Sequence, residues 1–440
     1  MYSPSLFRVG GVFNKSYMKH RIFLFLFACV SMLSLVLTSC SDDSVDVNEI
    51  NKQTILIFMP WSGSQSGVGL YNELKENLDS IESAIVDEKG MNGRVLVFLS
   101  KSSQSSSLYE ITYENGQIEH HTIKEYTGNE YDTTQGMLQI LNDVKANAYA
   151  LNYAMIIGGH GSGWTFKEDW NNYPYNAKAY GAVGAKGNKA VADGVLPIYP
   201  QTRFFGSVSD MNYAFNITDL ADAIQQAGMK MQYILFDDCY MANIETAYML
   251  KDATNYLIAS TSEVMAMGMP YRELWSNLAK STPGYEAIIN SFHTFYSNYK
   301  VYYDRNTKYI IPGGALSAID CRNLEQLATV MKEINSHYTL ADSLRDSVQV
   351  LDGFNNHIFY DMGSYVDHVC NNANLKSDFH AALDNVVKYK QSTDSVFTNL
   401  YYSAYSIPVK TFSGITISDM SVNSVAVKGR EKTAWWRRTH

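Results

Sequence analysis

The chain has 440 residues, 46% of them apolar and 18% charged, which excludes an intrinsically disordered protein and allows either two or three ordinary domains or one large α/β domain. Its formal net charge of -9 speaks against nucleic acid as a partner. The five cysteines, Cys29, Cys40, Cys239, Cys321 and Cys370, include no CxxC pair, which argues against a disulfide framework or a zinc site. Cys321 and Cys370 could pair, or stay small buried thiols.

In chain order, residues 18–40 come first, with a basic head (Lys19, His20, Arg21) before an apolar body, Ile22 to Leu37, that is short for a membrane span. Leu37-Thr38-Ser39-Cys40 reads as a bacterial lipobox with Cys40 as the lipidated residue; an ordinary secretory cleavage or a marginal membrane anchor are the alternatives. The division expected is a signal over 1–39, a polar acidic tether over 40–53, a core over 54–290 and a part over 291–440 packed on that core. An outer-membrane lipoprotein of the cell envelope is the expected location, with surface display one option.

Thr54-Ile55-Leu56-Ile57-Phe58-Met59 predicts a buried strand, Leu70 to Ile85 a helix, and Arg94 to Leu99 a second strand. Asn115-Gly116 predicts a hairpin turn between Tyr109–Tyr113 and Ile118–Ile123. A helix is expected from Gly136 to Ala148, and then an apolar run from Tyr153 that stops at Gly158-Gly159-His160-Gly161-Ser162-Gly163. The pattern breaks after Trp164: the glycine-rich run Gly181 to Lys189 predicts a mobile loop, and 165–205 is expected to be a mobile insertion holding a maturation site. A helix follows over Ile217 to Ile224 with Thr218 as its N-cap, and a second apolar run, Tyr233-Ile234-Leu235-Phe236, stops at Asp237-Asp238-Cys239. Further strands are expected at Tyr256–Ser260 and Gly313–Asp320, and helices at Leu324–Ile334 and from Asp361. Strands alternating with helices predict a three-layer α/β/α fold around a mainly parallel sheet.

In such sheets chemistry gathers beyond the carboxyl ends of the strands, so His160 and Cys239 are expected to meet there. The thiolate is the reactive form of cysteine, and its pKa falls beside a protonated histidine or at a helix N-terminus; Cys239 is expected where the strand gives way to a helix with Met241, Ile244 and Tyr248 as its apolar stripe. His160 would serve as base and then as acid for Cys239, while the N–H groups of Gly161 and Cys239 would form an oxyanion hole. An inert core histidine and an inert buried thiol are the alternatives. The flanking glycines weigh against the first, and two adjacent carboxylates weigh against the second.

These two runs, Gly158-Gly159-His160-Gly161-Ser162-Gly163-Trp164 and Phe236-Asp237-Asp238-Cys239-Tyr240-Met241-Ala242-Asn243-Ile244-Glu245, resemble the clostripain family of cysteine peptidases, in the clan of caspases, legumains and gingipains. Weaker matches lie in the opening strand, at Leu220 to Ile224, at Leu316 to Asp320 and at Asp361-Met362-Gly363. The resemblance implies a caspase-like fold and an endopeptidase that cuts protein or peptide substrates after Arg or Lys, with Asp237 at the floor of the S1 pocket. It also implies self-cleavage between the histidine and the cysteine, where Lys186, Lys189, Lys178, Lys167 and Arg203 are candidates. Two departures stand out: Trp61-Ser62-Gly63-Ser64-Gln65 replaces the family's acidic and amide residues, and the His160-to-Cys239 interval is long. No cofactor is expected to be required; calcium, needed by some relatives, has no EF-hand loop here. The rival function is a catalytically silent surface lipoprotein that binds peptide or glycan.

Overall fold

A computed structural model describes residues 51–65, 69–170, 206–207, 210–302, 308–310, 313–398, 400 and 405–440. The expected signal, the candidate lipidation residue Cys40, most of the tether and the candidates Lys178, Lys186, Lys189 and Arg203 lie outside these residues. No helix among the described residues is long and apolar enough to cross a membrane.

The central sheet is built from β1 (Gln53–Met59), β2 (Arg94–Ser102), β3 (Ser105–Glu114), β4 (Gln117–Thr127), β5 (Asn152–Gly158), β6 (Met231–Asp237) and β7 (Thr254–Ala259). After a short ribbon of β8 (Lys300–Tyr302) and β9 (Lys308–Ile310), the sheet also receives β10 (Ala315–Asp320), and, past the two-residue β11 (Tyr360–Asp361), β12 (Val387–Ser392). Its nine strands run in the order β12-β10-β7-β6-β5-β1-β2-β3-β4. The five in the middle, from β7 to β2, are parallel, and antiparallel strands extend the sheet at both ends. Three-layer packing around a mainly parallel sheet is therefore as expected. The sheet draws strands from both sides of position 290.

Alternation along each strand divides the core into two layers. Ile55, Ile57, Val95, Val97, Ile156 and Leu235 face α1 (Tyr71–Glu88), α5 (Tyr271–Leu278) and α6 (Tyr285–Ser297). Leu56, Phe58, Phe98, Ile157, Ile234 and Phe236 face α2 (Thr134–Asn147), α3 (Ile217–Gln226), α4 (Ile244–Leu250), α7 (Leu324–His337) and α9 (Ala373–Val386), with α8 (Met362–Val369) on the same side. Burial on both faces is why the strand runs are continuously apolar.

Several boundaries differ from expectation. The hairpin strands β3 and β4 are longer than predicted, because their outer residues alternate with polar ones that carry no continuous apolar signal. Asn216, not Thr218, occupies the N-cap position of α3. Cys321 and Cys370 are free and buried. The remaining chain forms the β13 (Ser395–Thr398) and β14 (Tyr405–Pro408) pair, then β15 (Thr416–Ile417), α10 (Ser424–Gly429) and α11 (Ala434–Thr439). β15 pairs with β11 and crosses to the loop before α4 through a parallel bridge between Thr416 and Asn243.

Candidate active site

β5 and β6 are adjacent parallel strands, and their register pairs Gly158 with Asp237. His160 lies two residues beyond the first and Cys239 two beyond the second, so equal offsets carry both past the same edge of the sheet. The two loops touch. A Cβ built on Gly161 would lie 2.4 Å from the carbonyl oxygen and 2.8 Å from the nitrogen of Cys239. Only a bare backbone fits against Cys239 at that distance, which explains the residue after His160. The His160 N–H donates to the Gly206 carbonyl at 3.2 Å.

Cys239 does not sit at a helix N-terminus, as its position had suggested. Four residues intervene before α4, whose cap is Asn243. Tyr240 takes a left-handed backbone (φ 62°), rare for a bulky residue, which turns the chain sharply after the cysteine. Asn243 fixes this turn from both ends: its Nδ2 donates to the Tyr240 carbonyl at 2.7 Å and its Oδ1 accepts the Thr246 N–H at 2.7 Å. The Tyr240 N–H donates to the Ser262 carbonyl, its ring stacks on Phe359 at 4.8 Å, and its hydroxyl donates to Glu263 at 2.7 Å. Glu263 also accepts from the Thr398 hydroxyl.

The sulfur of Cys239 receives the Val264 N–H at 3.3 Å and donates toward the Val264 carbonyl at 3.7 Å. Cys239 is 0% exposed and His160 7%. The cysteine belongs to a cluster with Trp164, Tyr240, Val264, Phe354 and Phe359. Phe354 and Phe359 lie on a loop folded around the buried Asp352, which accepts the N–H groups of Phe354, Ile358 and Phe359 and bonds His357 Nδ1 at 3.1 Å. That partnership raises the His357 pKa against the opposing effect of burial.

Asp237 is fully buried at the end of β6, where its Oδ2 accepts the Tyr271 hydroxyl at 2.9 Å. Asp238 is buried beside it, with its Cβ 2.9 Å from the position a Gly161 side chain would take. Lys167 opens a short turn, Lys167–Asp169, and donates to the Ala214 carbonyl at 3.2 Å. Among the described residues no group of three or more His, Cys, Asp or Glu is arranged to hold a metal ion.

Residues 196–424 match the model of the clostripain family, peptidase C11. A secreted C11 cysteine protease from Bacteroides thetaiotaomicron, iotapain, is 38% identical with a TM-score of 0.75; the match covers 89% of this chain and 99% of that one. The chain belongs to the clostripain family. It is thus a cysteine protease of the C11 type, as its two strand-end runs had suggested. Two more solved structures share its fold at lower identity. One is an inactive zymogen C11 protease from Parabacteroides distasonis (21% identity, TM-score 0.68, 89% of this chain and 99% of that chain). The other is a secreted C11 cysteine protease from B. thetaiotaomicron in complex with an irreversible peptide inhibitor (18%, TM-score 0.68, 88% and 98%). No curated protein sequence matches the chain.

Sequence reasoning missed several residues that shape this clostripain-family site. Asn243 was detectable, since an Asn directly before an apolar run with Glu245 in its first turn is a helix-start signal. Asp352, Glu263 and Ser418 left no local signal, because each acts on residues remote in sequence.

Proposed function

We propose that this clostripain-family protease is a secreted, lipid-anchored endopeptidase in which Cys239 is the nucleophile and His160 the general base and acid, cutting after Arg or Lys. The observation that carries the reading is the equal offset of the two residues beyond paired strand ends, with Gly161 seated on the Cys239 backbone. His160 would take the thiol proton and Cys239 would attack the scissile carbonyl. The amine would leave with the proton from His160, and water would then release the acyl group. The N–H groups of Gly161 and Cys239 would stabilise the developing oxyanion, a role supported by the close approach of Gly161 to the Cys239 backbone. Asp237, at the end of β6, would hold the cationic P1 side chain, a bidentate partner for arginine.

The enclosed cysteine supports a further reading: the intact chain is a latent precursor, and a cut within 165–205 after a basic residue frees the site. Lys186 and Lys189, with Lys178, Lys167 and Arg203, are the candidate positions, and Cys40 is the anchor. An arginyl or lysyl chloromethylketone should label Cys239 in the cut protein and leave the intact chain unlabelled. Mass spectrometry reads both the adduct and the cut, and labelling of another residue, or none after cleavage, would reject the assignment.

Asp237→Asn keeps the shape of the side chain and its Tyr271 contact while removing the charge. The expected result is a fall of about a hundredfold in kcat/KM for Arg and Lys substrates, with a much smaller change for an uncharged P1 residue. A panel of P1-varied peptides measures this, and an equal fall across the panel would assign Asp237 to structure alone.

A further inference from the structure

The segment that ends the described chain reaches both loops of the site. Trp164, four residues beyond His160, is buried and donates its indole N–H to the Ser418 hydroxyl at 2.9 Å. The Ser418 backbone N–H donates to Glu245 Oε1 at 2.8 Å. Glu245 lies in the first turn of α4, just beyond the Cys239 turn. Two further ties run the same way. The Thr416 N–H donates to the Ala242 carbonyl at 3.0 Å, and Lys432 pairs with the buried Asp169 at 2.7 Å.

Resting on the reading of His160 and Cys239 as the catalytic pair, we propose that Ser418 and Glu245 are positioning residues: the Trp164–Ser418–Glu245 bridge holds the histidine loop in register with the cysteine loop. Glu245 is buried and the side chain of Asp419 is 3% exposed, and one oxygen of each lacks a hydrogen-bond partner among the described residues. Burial, and then the neighbouring Asp419, push the Glu245 carboxyl up to about 8. Burial pushes Asp419 up to about 7, against the Arg430 guanidinium and Asn335 of α7. The other groups facing the pair are Tyr365 of α8, whose hydroxyl is raised by burial and by Asp419, and His440, whose Nε2 lies 4.0 Å from Asp419 and whose pKa burial lowers. Ser418 draws Glu245 the other way through both its N–H and its hydroxyl.

The direction follows from where the protons sit. Between the ordinary carboxyl range and about 7 to 8, the folded chain holds protons that the unfolded chain has released. Stability from this pair is therefore present at low pH and falls as pH rises toward 8. Above that, a charge at Glu245 in a dry site costs free energy that the Ser418 bonds only partly offset, and the bridge weakens.

The experiment uses the full chain in its cut, active form. Ser418→Ala should lower kcat about ten- to a hundredfold, with KM within about twofold, because only the mutual placement of the two loops changes. Glu245→Gln keeps the acceptor for Ser418 and cannot ionise, so it should retain activity at pH 6 and move the alkaline loss of kcat upward by about one pH unit. The same titration is read without catalysis in the intact, uncut Cys239→Ala chain, as the change in tryptophan emission with pH that Trp164→Phe removes. Wild-type kcat in folded Ser418→Ala, or a superimposable pH profile and emission titration in Glu245→Gln, overturns the proposal. A Ser418→Ala chain that fails to fold leaves Glu245→Gln to decide. Activity surviving in Cys239→Ala would instead sink the catalytic pair, and the emission titration would still judge the bridge.

Discussion

Cys239→Ala should fold, keep the thermal midpoint of the parent to within a few degrees, and hydrolyse no peptide. The expected loss in kcat/KM is about 10⁴-fold or more, since what remains without a nucleophile is binding and oxyanion stabilisation alone. His160→Ala should lose a comparable amount, and the double variant no more than either single one, because the two groups act as a unit. The chain should also stay uncut between residues 165 and 205. The cysteine variant loses the two bonds of the sulfur with Val264, so a small stability effect separates lost chemistry from lost fold. Cleavage that persists in Cys239→Ala would mean that another protease, or another residue, makes the cut.

Gly161→Ala carries the second large effect, and its cause is steric. The added methyl would sit 2.4 Å from one backbone atom of Cys239 and 2.8 Å from another, neither of which can swing aside like a side-chain tip. The two loops must then separate by a good fraction of an ångström. Misplacement of that size costs about a hundredfold in turnover, while overpacking at one loop costs about 1–3 kcal/mol in stability. The measurement is kcat and KM together with the denaturant midpoint. A variant with parental kcat would show that the loops do not need this contact, and a fully unfolded one would move the role of Gly161 from chemistry to folding. Gly163 offers a comparison: its φ of +63° and its closeness to Phe359 place its constraint on the aromatic cluster instead.

The two site runs were readable because their strands are buried on both faces and stop at chemically unusual residues. The helices α1, α2 and α7 were readable from periodic apolar faces. Register was not. Nothing in either run says that Gly158 pairs with Asp237; that alignment is imposed by two helical layers and the neighbouring strands. The start of α4 was misplaced for a related reason: Met241 and Ala242 are apolar, yet the left-handed turn at Tyr240 and the Asn243 cap delay the helix. The enclosure of Cys239 was equally hidden, because its cover comes from Phe354 and Phe359, folded by a single buried aspartate far along the chain.

The order in which the sheet is completed has a consequence for biosynthesis. The strands bearing His160 and Cys239 leave the ribosome well before β10 and β12, which cap one end of the sheet, and before Thr416 and Ser418 tie the site loops. Parallel pairing between distant segments is slow, and the half-made chain has the unpaired β7 edge to protect. With Thr416 and Ser418 made last, the two site loops reach their final mutual placement only once nearly the whole chain has been synthesised.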